Sequence, residues 1–355
     1  MFSFLTLKPE AFGLDISDLS LKVVQLKKKG KFLDLACFGE TALKPGIIEK
    51  GEVQDEKALA QAIQSAVSQA KGQKITTKYA VASLPEEKGF LQVIEMPMMA
   101  EEEIKKAVFF EAENYIPLPV ETVYLDCQII TPATVKPPDH LDVLIAALPK
   151  KIINLYFSSL KKAGFEPLAL EIESQAISRS LIEKEVSPQP LLLIDIGASQ
   201  TSFIIFSGSS LRFTFSCPLS SQKFTKAIAE SLQIDLKKAE VLKTEKGITA
   251  KKNDHVFKAL TSDLNELMKQ IGNCLNYCQG HYHQEIKKVL LCGGGANLKG
   301  LKEFIASRIN LPVQLGNPWV NILPKNLKET PAMPHQESLR YATALGLALR
   351  GIKKC

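Results

Sequence analysis

The chain has 355 residues, of which 45% are hydrophobic and 23% charged, a length and composition typical of a soluble globular protein with two domains. Its net charge of +6 is small, and no basic run is interleaved with aromatic residues, which argues against nucleic acid as a partner. Seven scattered cysteines indicate a reducing cytosol rather than a disulfide framework. The sequence contains no stretch of about 18 apolar residues, so no membrane span is predicted.

The first part of the chain has the pattern of an α/β domain. Its predicted strands lie at residues 12–16, 21–26, 31–38 and 79–84. Between the third and fourth strands, apolar residues recur at helical spacing and predict a helix over residues 55–70, which Asp55 is placed to cap.

Residues 85–160 differ in texture and are predicted to form a small inserted domain. Its predicted elements are a strand at 90–96, a helix at 100–115, strands at 123–130 and 142–148, and a helix at 150–163. Prolines between residues 132 and 139 predict a surface loop, and Gly164 is placed to end the last helix.

A strand at 166–170 and a helix at 172–185 precede the proline-rich segment Ser187–Pro190, which is predicted as a break between elements. The strands predicted after this break lie at residues 191–195, 201–206, 289–292 and 312–315. The predicted helices are two within residues 220–246 and one each at 251–282, 301–309 and 339–351.

One strand–turn–strand pattern occurs twice, because residues 14–26 align without a gap on residues 194–206. The aligned pairs are Asp15 with Asp195 and, further along, Cys37 with Cys217. A repeat at this long spacing is not a solenoid period, so it predicts two similar domains that each contribute an acidic hairpin to one cleft. Chance similarity between two apolar strand pairs is the alternative.

The turn after Asp195 consists of small residues. Gly197, Ala198 and Ser199 allow a sharp turn whose backbone N–H groups can bind an anion. The carboxylate at its lip is placed to hold hydrated Mg²⁺, which prefers carboxylate, water and phosphate oxygens. Lys22, across the first hairpin from its aspartate, is predicted to point toward the same anion, with an exposed strand lysine as the alternative.

The run Gly293–Gly295 stands between a predicted strand and a predicted helix. Glycines let a backbone approach a ligand closely, and a helix N-terminus favours an anion. Alone, such a run is a tight turn as often as a ligand site, but with the two acidic hairpins it predicts the third side of a nucleotide cleft. Asp18 would repel phosphate at the first turn unless a metal ion bridges them.

Two further groups of residues leave alternatives open. Glu171 and Glu173 follow a strand that would enter the cleft, so one of them could orient a water for attack on phosphate, or both simply favour a helix dipole. Cys274, Cys278 and His281 share a helix face, but their spacing is not that of a zinc site, and buried core cysteines are the favoured interpretation.

These motifs resemble those of a known superfamily. The two Asp-Ile hairpins and the segment Cys292–Leu301 are similar to the phosphate and adenosine loops of the actin-like ATPases. Within that superfamily, Phe109–Pro119 and Tyr124–Gln128 resemble a signature of the PilM family of type IV pilus assembly proteins. The resemblance extends over nearly the whole chain, from about residue 12 to residue 351.

The resemblance implies an α/β fold, a duplicated actin-like (ribonuclease H-like) two-domain structure with a 1C subdomain of the FtsA and PilM type. The implied subdomains are 10–84 (1A), 85–160 (1C), 161–190 (1A), 191–220 (2A), 221–284 (2B), 285–334 (2A) and 335–355, a C-terminal helix that returns to 1A.

The resemblance also implies ATP and Mg²⁺ as cofactors, with Asp15 and Asp195 at the metal and Glu173 as the catalytic residue. The residues implied to bind ATP are Ser17, Lys22, Gly197, Ala198, Ser199, Thr201, Gly293, Gly294, Gly295 and Asn297. Ser17, Asp18 and Ser174 depart from the residues usual in relatives, which favours weak or absent ATP turnover.

The implied partner is the N-terminal cytoplasmic peptide of PilN, bound in a groove between 1A and 1C, and through it the PilN–PilO inner-membrane complex and pilus motor ATPases. The implied place is the cytoplasm, peripheral to the inner membrane, in pilus biogenesis and twitching motility. A filament-forming division protein like FtsA is the main alternative, against which Phe109–Pro119 argues. A small-molecule kinase is a third reading, for which no catalytic base stands out.

Overall fold

The structure, a computed structural model, describes residues 9–130, 140–248, 255–324 and 332–352. The strands, in chain order, are β1 (Phe12–Ile16), β2 (Ser20–Lys29), β3 (Phe32–Ala42), β4 (Ile48–Glu49), β5 (Glu52–Val53), β6 (Lys71–Gly72), β7 (Tyr79–Leu84), β8 (Phe90–Pro97), β9 (Val123–Ile130), β10 (His140–Pro149), β11 (Glu166–Ile172), β12 (Ser187–Ile196), β13 (Thr201–Gly208), β14 (Ser210–Cys217), β15 (Lys288–Cys292) and β16 (Val313–Leu315). The predicted loop at residues 132–139 lies outside the described residues.

The helices are α1 (Glu56–Ser68), α2 (Glu101–Glu111), α3 (Lys150–Lys162), α4 (Glu173–Leu181), α5 (Ser221–Leu232), α6 (Leu236–Glu245), α7 (His255–Tyr282), α8 (Leu301–Ile309), α9 (His335–Ser338) and α10 (Ala342–Ile352). Asp55 caps α1 as predicted, since its side chain accepts a hydrogen bond from the Ala58 N–H. Among the described helices, none is long and apolar enough to cross a membrane.

Two large sheets repeat one plan. The first has the order β11-β7-β1-β2-β3-β6, and the second begins β16-β15-β12-β13-β14. In each, an antiparallel three-stranded meander is extended by two parallel strands on the side of its first strand. The predicted duplication is therefore confirmed at the level of topology.

The alignment of the repeats holds for two strands and fails at the third. Asp15 pairs with Lys22 across β1 and β2, and Asp195 pairs with Ser202 at the matching register of β12 and β13. In the third strands, however, Cys217 lies opposite Thr201, whereas the residue opposite the equivalent Leu21 is Thr41. The β13–β14 hairpin reverses direction earlier along its strands than the β2–β3 hairpin, so the structural counterpart of Cys217 is Thr41. The predicted match of Cys37 with Cys217 is therefore wrong.

The segment Ser187–Pro190 was expected to separate elements but forms the start of β12. The pairing of β12 with β13 shifts register between Ser187 and Leu191. A proline cannot donate to a strand ladder, and a bulge is one of the few strand positions where that missing donor is tolerated.

Residues 90–149, which we term the insert domain, have their own small core. This core includes Ile94 of β8, Val108 of α2 and Val143 of β10. Helix α3, predicted as its last element, contributes Tyr156 and Leu160 to a larger core that also contains residues of α1 and of β10. This larger core therefore joins α3 both to the first domain and to the insert domain.

The second sheet continues into the insert domain, because β8 follows β14 in the order β14-β8-β10-β9. Strands β8 and β10 pair along their length, from Phe90 with Ala147 to Pro97 with His140. Between β8 and β14 the register contains one pair, Gln92 with Phe213. Side chains also cross this junction, because Arg212 of β14 forms a salt bridge with Asp142 of β10.

Candidate functional site

A polar cavity of about 380 Å³ lies between the two halves, at the ends of the first strands of both meanders. The predicted site residues on its wall are Asp15, Ser17, Lys22, Glu173, Asp195, Gly197, Ala198, Ser199, Gly293, Gly294, Gly295 and Asn297. Residues far apart in the chain meet here because the duplicated hairpins face one another across the cleft.

Lys22 is oriented toward the cavity rather than toward solvent. Its Nζ lies 3.1 Å from Oδ2 of Asp15, and the side chains are only 12% and 6% exposed. Burial alone would lower the pKa of Lys22, but the charges of Asp15, Glu40 and Asp195 outweigh it and raise the pKa. The ammonium group is therefore held fully charged at the cavity wall.

Asp195 is a carboxylate that lacks sufficient positive charge around it. Burial, together with the charge of Asp15, raises its pKa to about 6. Its Oδ1 accepts a weak hydrogen bond from Sγ of Cys292 at 3.7 Å. Two converging aspartates with one nearby lysine leave a net negative site of hard oxygen donors, which fits the ligand preference of Mg²⁺.

The three-glycine run packs directly against the second acidic strand. Gly293 has a φ of +80°, and a Cβ there would lie 2.3 Å from Oδ1 of Asp195. A Cβ on Gly295 would lie 2.3 Å from Cγ2 of Ile196. These two glycines are needed for the turn to close over the end of β12, whereas Gly294 faces open space, with Arg340 as its nearest neighbour at 3.9 Å.

Gly293→Ala is expected to destabilise the protein by about 1–3 kcal/mol, since it adds both left-handed strain and a clash with Asp195. Gly294→Ala is the matched control and should change the free energy of unfolding by less than about 0.5 kcal/mol. Urea unfolding of both variants measures the difference. Equal stability of the two variants would contradict the packing described here.

The structure distinguishes the two glutamates that the sequence left open. Glu173, the first residue of α4, lies on the cavity wall, and its pKa is raised well above the usual value by burial and by the charges of Asp15 and Glu87. Glu171 is 3% exposed and pairs with Arg179 and Arg350 instead. Glu173 is thus the carboxyl group that could reach a ligand.

Thr201 and Asp18 lie elsewhere than expected. Thr201 pairs with Ile196 and shares its buried face, while Ser202, opposite Asp195, lies on the cavity wall. The carboxylate of Asp18 accepts hydrogen bonds from the N–H groups of Lys50 and Gly51, both at 2.9 Å. It is held by the β4–β5 hairpin and is not among the residues of the cavity wall.

Several wall residues were not anticipated, namely Ser20, Glu40, Gln200, Ser202, Ser221, Glu240, Thr244, Leu339, Arg340, Ala342 and Thr343. The repeat alignment already placed Ser202 on Lys22 and could have found it. Glu240 is held by a salt bridge of 2.8 Å with the buried Lys243, on a helix whose polar sequence gave no specific signal. Arg340 pairs with Glu40 at the cavity wall.

The cysteine-rich face of α7 belongs to the core. Cys274 and Cys278 are 2% and 1% exposed, and burial raises their pKa values to about 12 and about 11. Both belong to the hydrophobic core of the second domain, as the favoured interpretation of these cysteines predicted.

Comparison with known proteins gives a consistent family. A family model described as type IV pilus assembly protein PilM matches residues 13–352. A solved structure named PilM-PilN type IV pilus biogenesis complex contains a chain 29% identical to this one, with a TM-score of 0.81, and the match covers 98% of this chain and 100% of that one.

More distant matches establish the fold alone. MreB5 of Spiroplasma citri bound to ADP is 12% identical, with a TM-score of 0.56 over 96% of this chain and 95% of that one. EutJ of Carboxydothermus hydrogenoformans is 15% identical, with a TM-score of 0.55 over 97% and 90%. Both are actin-like, so the predicted fold class is confirmed.

A curated relative matches over a shorter stretch. The cell division protein FtsA of Borreliella burgdorferi is 24% identical over 181 residues, which is 45% of this chain. The match spans only 44% of the length of that FtsA.

Proposed function

Because the chain belongs to the PilM family of type IV pilus assembly proteins, we propose that it binds Mg·ATP between its two domains and acts as a cytoplasmic adaptor in pilus assembly. The observation that carries this proposal is the convergence of Asp15, Asp195, Lys22 and the three-glycine turn on one cavity. MreB5, which has the same fold, has been solved with ADP and with AMPPNP, and this supports a nucleotide as the ligand.

In this proposal, each group of residues on the cavity wall has a distinct role. Asp15 and Asp195 would hold Mg²⁺, which neutralises the phosphate charge. The turn Gly197–Ser199 offers backbone N–H groups to phosphate oxygens, and Lys22 adds a fixed positive charge. The turn of Gly293–Gly295 with Asn297 would border the adenosine. The Asn297 side chain is held by donating a hydrogen bond to the Gln336 carbonyl at 2.9 Å.

Glu173 has the position of a residue that could orient water for attack on phosphate. Burial and the charges of Asp15 and Glu87 raise its pKa well above the usual value. Because Ser17, Asp18 and Ser174 depart from the residues usual in relatives, we propose that ATP serves chiefly as a structural ligand, with slow or absent hydrolysis.

Nucleotide-free protein tests this proposal by thermal unfolding. A ligand present at about 100 times its Kd stabilises the folded state by about 2.7 kcal/mol, so Mg·ATP should raise Tm by several degrees. ATP with excess chelator is the control and should have a much smaller effect. No rise in Tm at about 1 mM Mg·ATP would reject nucleotide binding.

For the partner, we propose that the N-terminal cytoplasmic peptide of PilN binds between the first domain and the insert domain. Strand β9 is the outer strand of its sheet, and an extended peptide can add to such an edge. Facing it, α3 contributes Asn154, whose Oδ1 accepts a hydrogen bond from the Tyr124 hydroxyl at 3.2 Å. Tyr124 and Phe157 are 47% and 44% exposed, which provides apolar contact area.

Through PilN, this arrangement would attach the chain to the PilN–PilO complex and to motor ATPases, peripheral to the inner membrane and serving twitching motility. The solved PilM-PilN complex supports the PilN part of this proposal. The remaining partners follow from the role of the family in pilus assembly.

Tyr124→Ala and Phe157→Ala are each expected to weaken binding of a PilN peptide about tenfold or more, the usual loss for an aromatic anchor at an interface. Phe32→Ala is the matched control, since Phe32 is 51% exposed but lies on the hairpin of the first sheet. Fluorescence anisotropy with a labelled peptide measures all three. Equal losses in the three variants would contradict the proposed groove.

A further inference from the structure

The segment that connects β7 to the insert domain is a three-residue 3-10 helix, Glu86–Lys88. Its three consecutive side chains contact three different segments, namely the start of α4, the turn after Asp195 and the β4–β5 hairpin, of which the first two include residues of the cavity wall. We propose that this helix, which we term the connector, transmits occupancy of the cavity to the insert domain and so regulates the partner groove. This inference depends on the proposed nucleotide function and adds the route of coupling.

Glu86 contacts the start of α4. It is 4% exposed, and its carboxylate accepts a hydrogen bond from the Ser174 N–H at 3.0 Å. Ser174 directly follows Glu173 of the cavity wall. A shift of α4 on ligand binding would therefore act directly on the first residue of the connector.

Glu87 contacts the turn of the second acidic hairpin. Its Oε2 accepts a hydrogen bond from Nε2 of Gln200 at 2.7 Å, and Gln200 lies on the cavity wall. The backbone carbonyl of Gln200 also accepts the Gly197 N–H at 2.9 Å, so the side chain is anchored to the turn proposed to bind phosphate. Movement of that turn would act on Glu87.

Lys88 contacts the first hairpin through an intermediate. Its Nζ lies 2.6 Å from Oε1 of Glu52, beside Gly51, whose N–H donates to Asp18. Gly51 has a φ of +73°, and a Cβ there would lie 2.7 Å from Pro85 and 2.9 Å from Oε1 of Glu87. The β4–β5 hairpin is therefore packed tightly against the connector, and it holds Asp18, which directly follows Ser17 of the cavity wall.

The insert domain directly follows the connector in the chain. Strand β8 begins directly after Gly89 and pairs with β10 along its length, so a displacement of β8 carries the insert domain with it. On its other side, β8 meets β14 at the single backbone pair Gln92 and Phe213, next to a cavity of about 350 Å³. Side chains complete this junction, since Arg212 of β14 forms a salt bridge with Asp142 of β10, and Leu91 of β8 shares a core with Leu211 of β14. A displacement of the connector would therefore act on the insert domain and on its contacts with β14 together.

Hydrogen–deuterium exchange with Mg·AMPPNP tests this inference without any partner. In the unaltered chain, nucleotide should slow exchange at residues 197–199 and 293–295 and change exchange in β8 and β9 at least twofold. In the double variant Glu87→Ala/Lys88→Ala, the slowing at the cavity should remain and the change in β8 and β9 should disappear. These two residues lie outside the cavity wall, so nucleotide binding should persist.

The control is Glu101→Ala/Lys105→Ala, which removes an exposed ion pair of 3.4 Å on α2 of the insert domain. It should keep the response of β8 and β9. If nucleotide slows exchange at the cavity of the unaltered chain but leaves exchange in β8 and β9 unchanged, the inference is overturned. It is also overturned if Glu87→Ala/Lys88→Ala keeps the change in β8 and β9. Absence of slowing at the cavity itself would reject the proposed nucleotide function, and this inference with it.

Discussion

Asp195→Asn is expected to abolish the stabilisation of this protein by Mg·ATP while making the ligand-free protein more stable. The carboxylate is required for the metal, but without a ligand it is a buried charge near Asp15, with a pKa raised to about 6. A rise from 3.8 to about 6 corresponds to a cost of at most about 3 kcal/mol at neutral pH, which the neutral amide avoids. Tm measured with and without Mg·ATP shows both changes.

The pH dependence of ligand-free stability provides a second readout of the same group. A carboxyl group whose pKa is raised in the folded state binds more protons there than in the unfolded state, so its contribution falls as pH rises from about 4 to about 6. Asp195→Asn should reduce this fall by the contribution of Asp195, while the contribution of Glu173, whose pKa is also raised, remains. Asp34→Asn, on the first hairpin away from the cavity, is the control and should behave as the unaltered chain. A full Mg·ATP response in Asp195→Asn would contradict the metal role.

Glu171→Gln is expected to lower the free energy of unfolding by about 3–5 kcal/mol, because it leaves two guanidinium groups facing a neutral amide in a buried site. The carboxylate is 1% exposed and bonds Arg179 of α4 and Arg350 of α10. It thereby joins β11 to the two helices that pack behind the first sheet. Urea unfolding gives the free energy directly.

Glu173→Gln is the matched comparison for Glu171, two residues away and on the cavity wall. Because burial and neighbouring carboxylates raise the pKa of Glu173, its neutral amide should leave stability unchanged or higher. If Glu173→Gln lowers the free energy of unfolding and Glu171→Gln leaves it unchanged, the roles assigned to these two residues are reversed.

The sequence was sufficient where a local pattern determines the structure. Runs of consecutive apolar residues and turns of small residues located the acidic hairpins, and the register of a hairpin placed Lys22 opposite Asp15. The strand Tyr79–Leu84 and the helix Leu301–Ile309 were predicted with their observed bounds. Glycines at the end of β15 were recognisable because few other residues permit so close an approach.

The sequence was insufficient where contacts between residues far apart in the chain determine the structure. Helix α3 is amphipathic, but nothing local shows that its apolar face packs against α1 as well as against β10 of the insert domain. The sequence places Asp18 in the first turn, but it does not reveal that the N–H groups of Lys50 and Gly51 donate hydrogen bonds to its carboxylate. Thr201 could have been excluded from the cavity, since strand alternation puts it on the opposite face from Ser202.

Calorimetric titration with a synthetic peptide of the first PilN residues from the same genome, with and without Mg·ATP, tests the central claim most directly. We expect micromolar binding whose affinity changes with nucleotide, as an adaptor coupled to its ATP site requires. Binding that ignores nucleotide would keep the scaffold role and remove the coupling. No binding in either state would contradict the account.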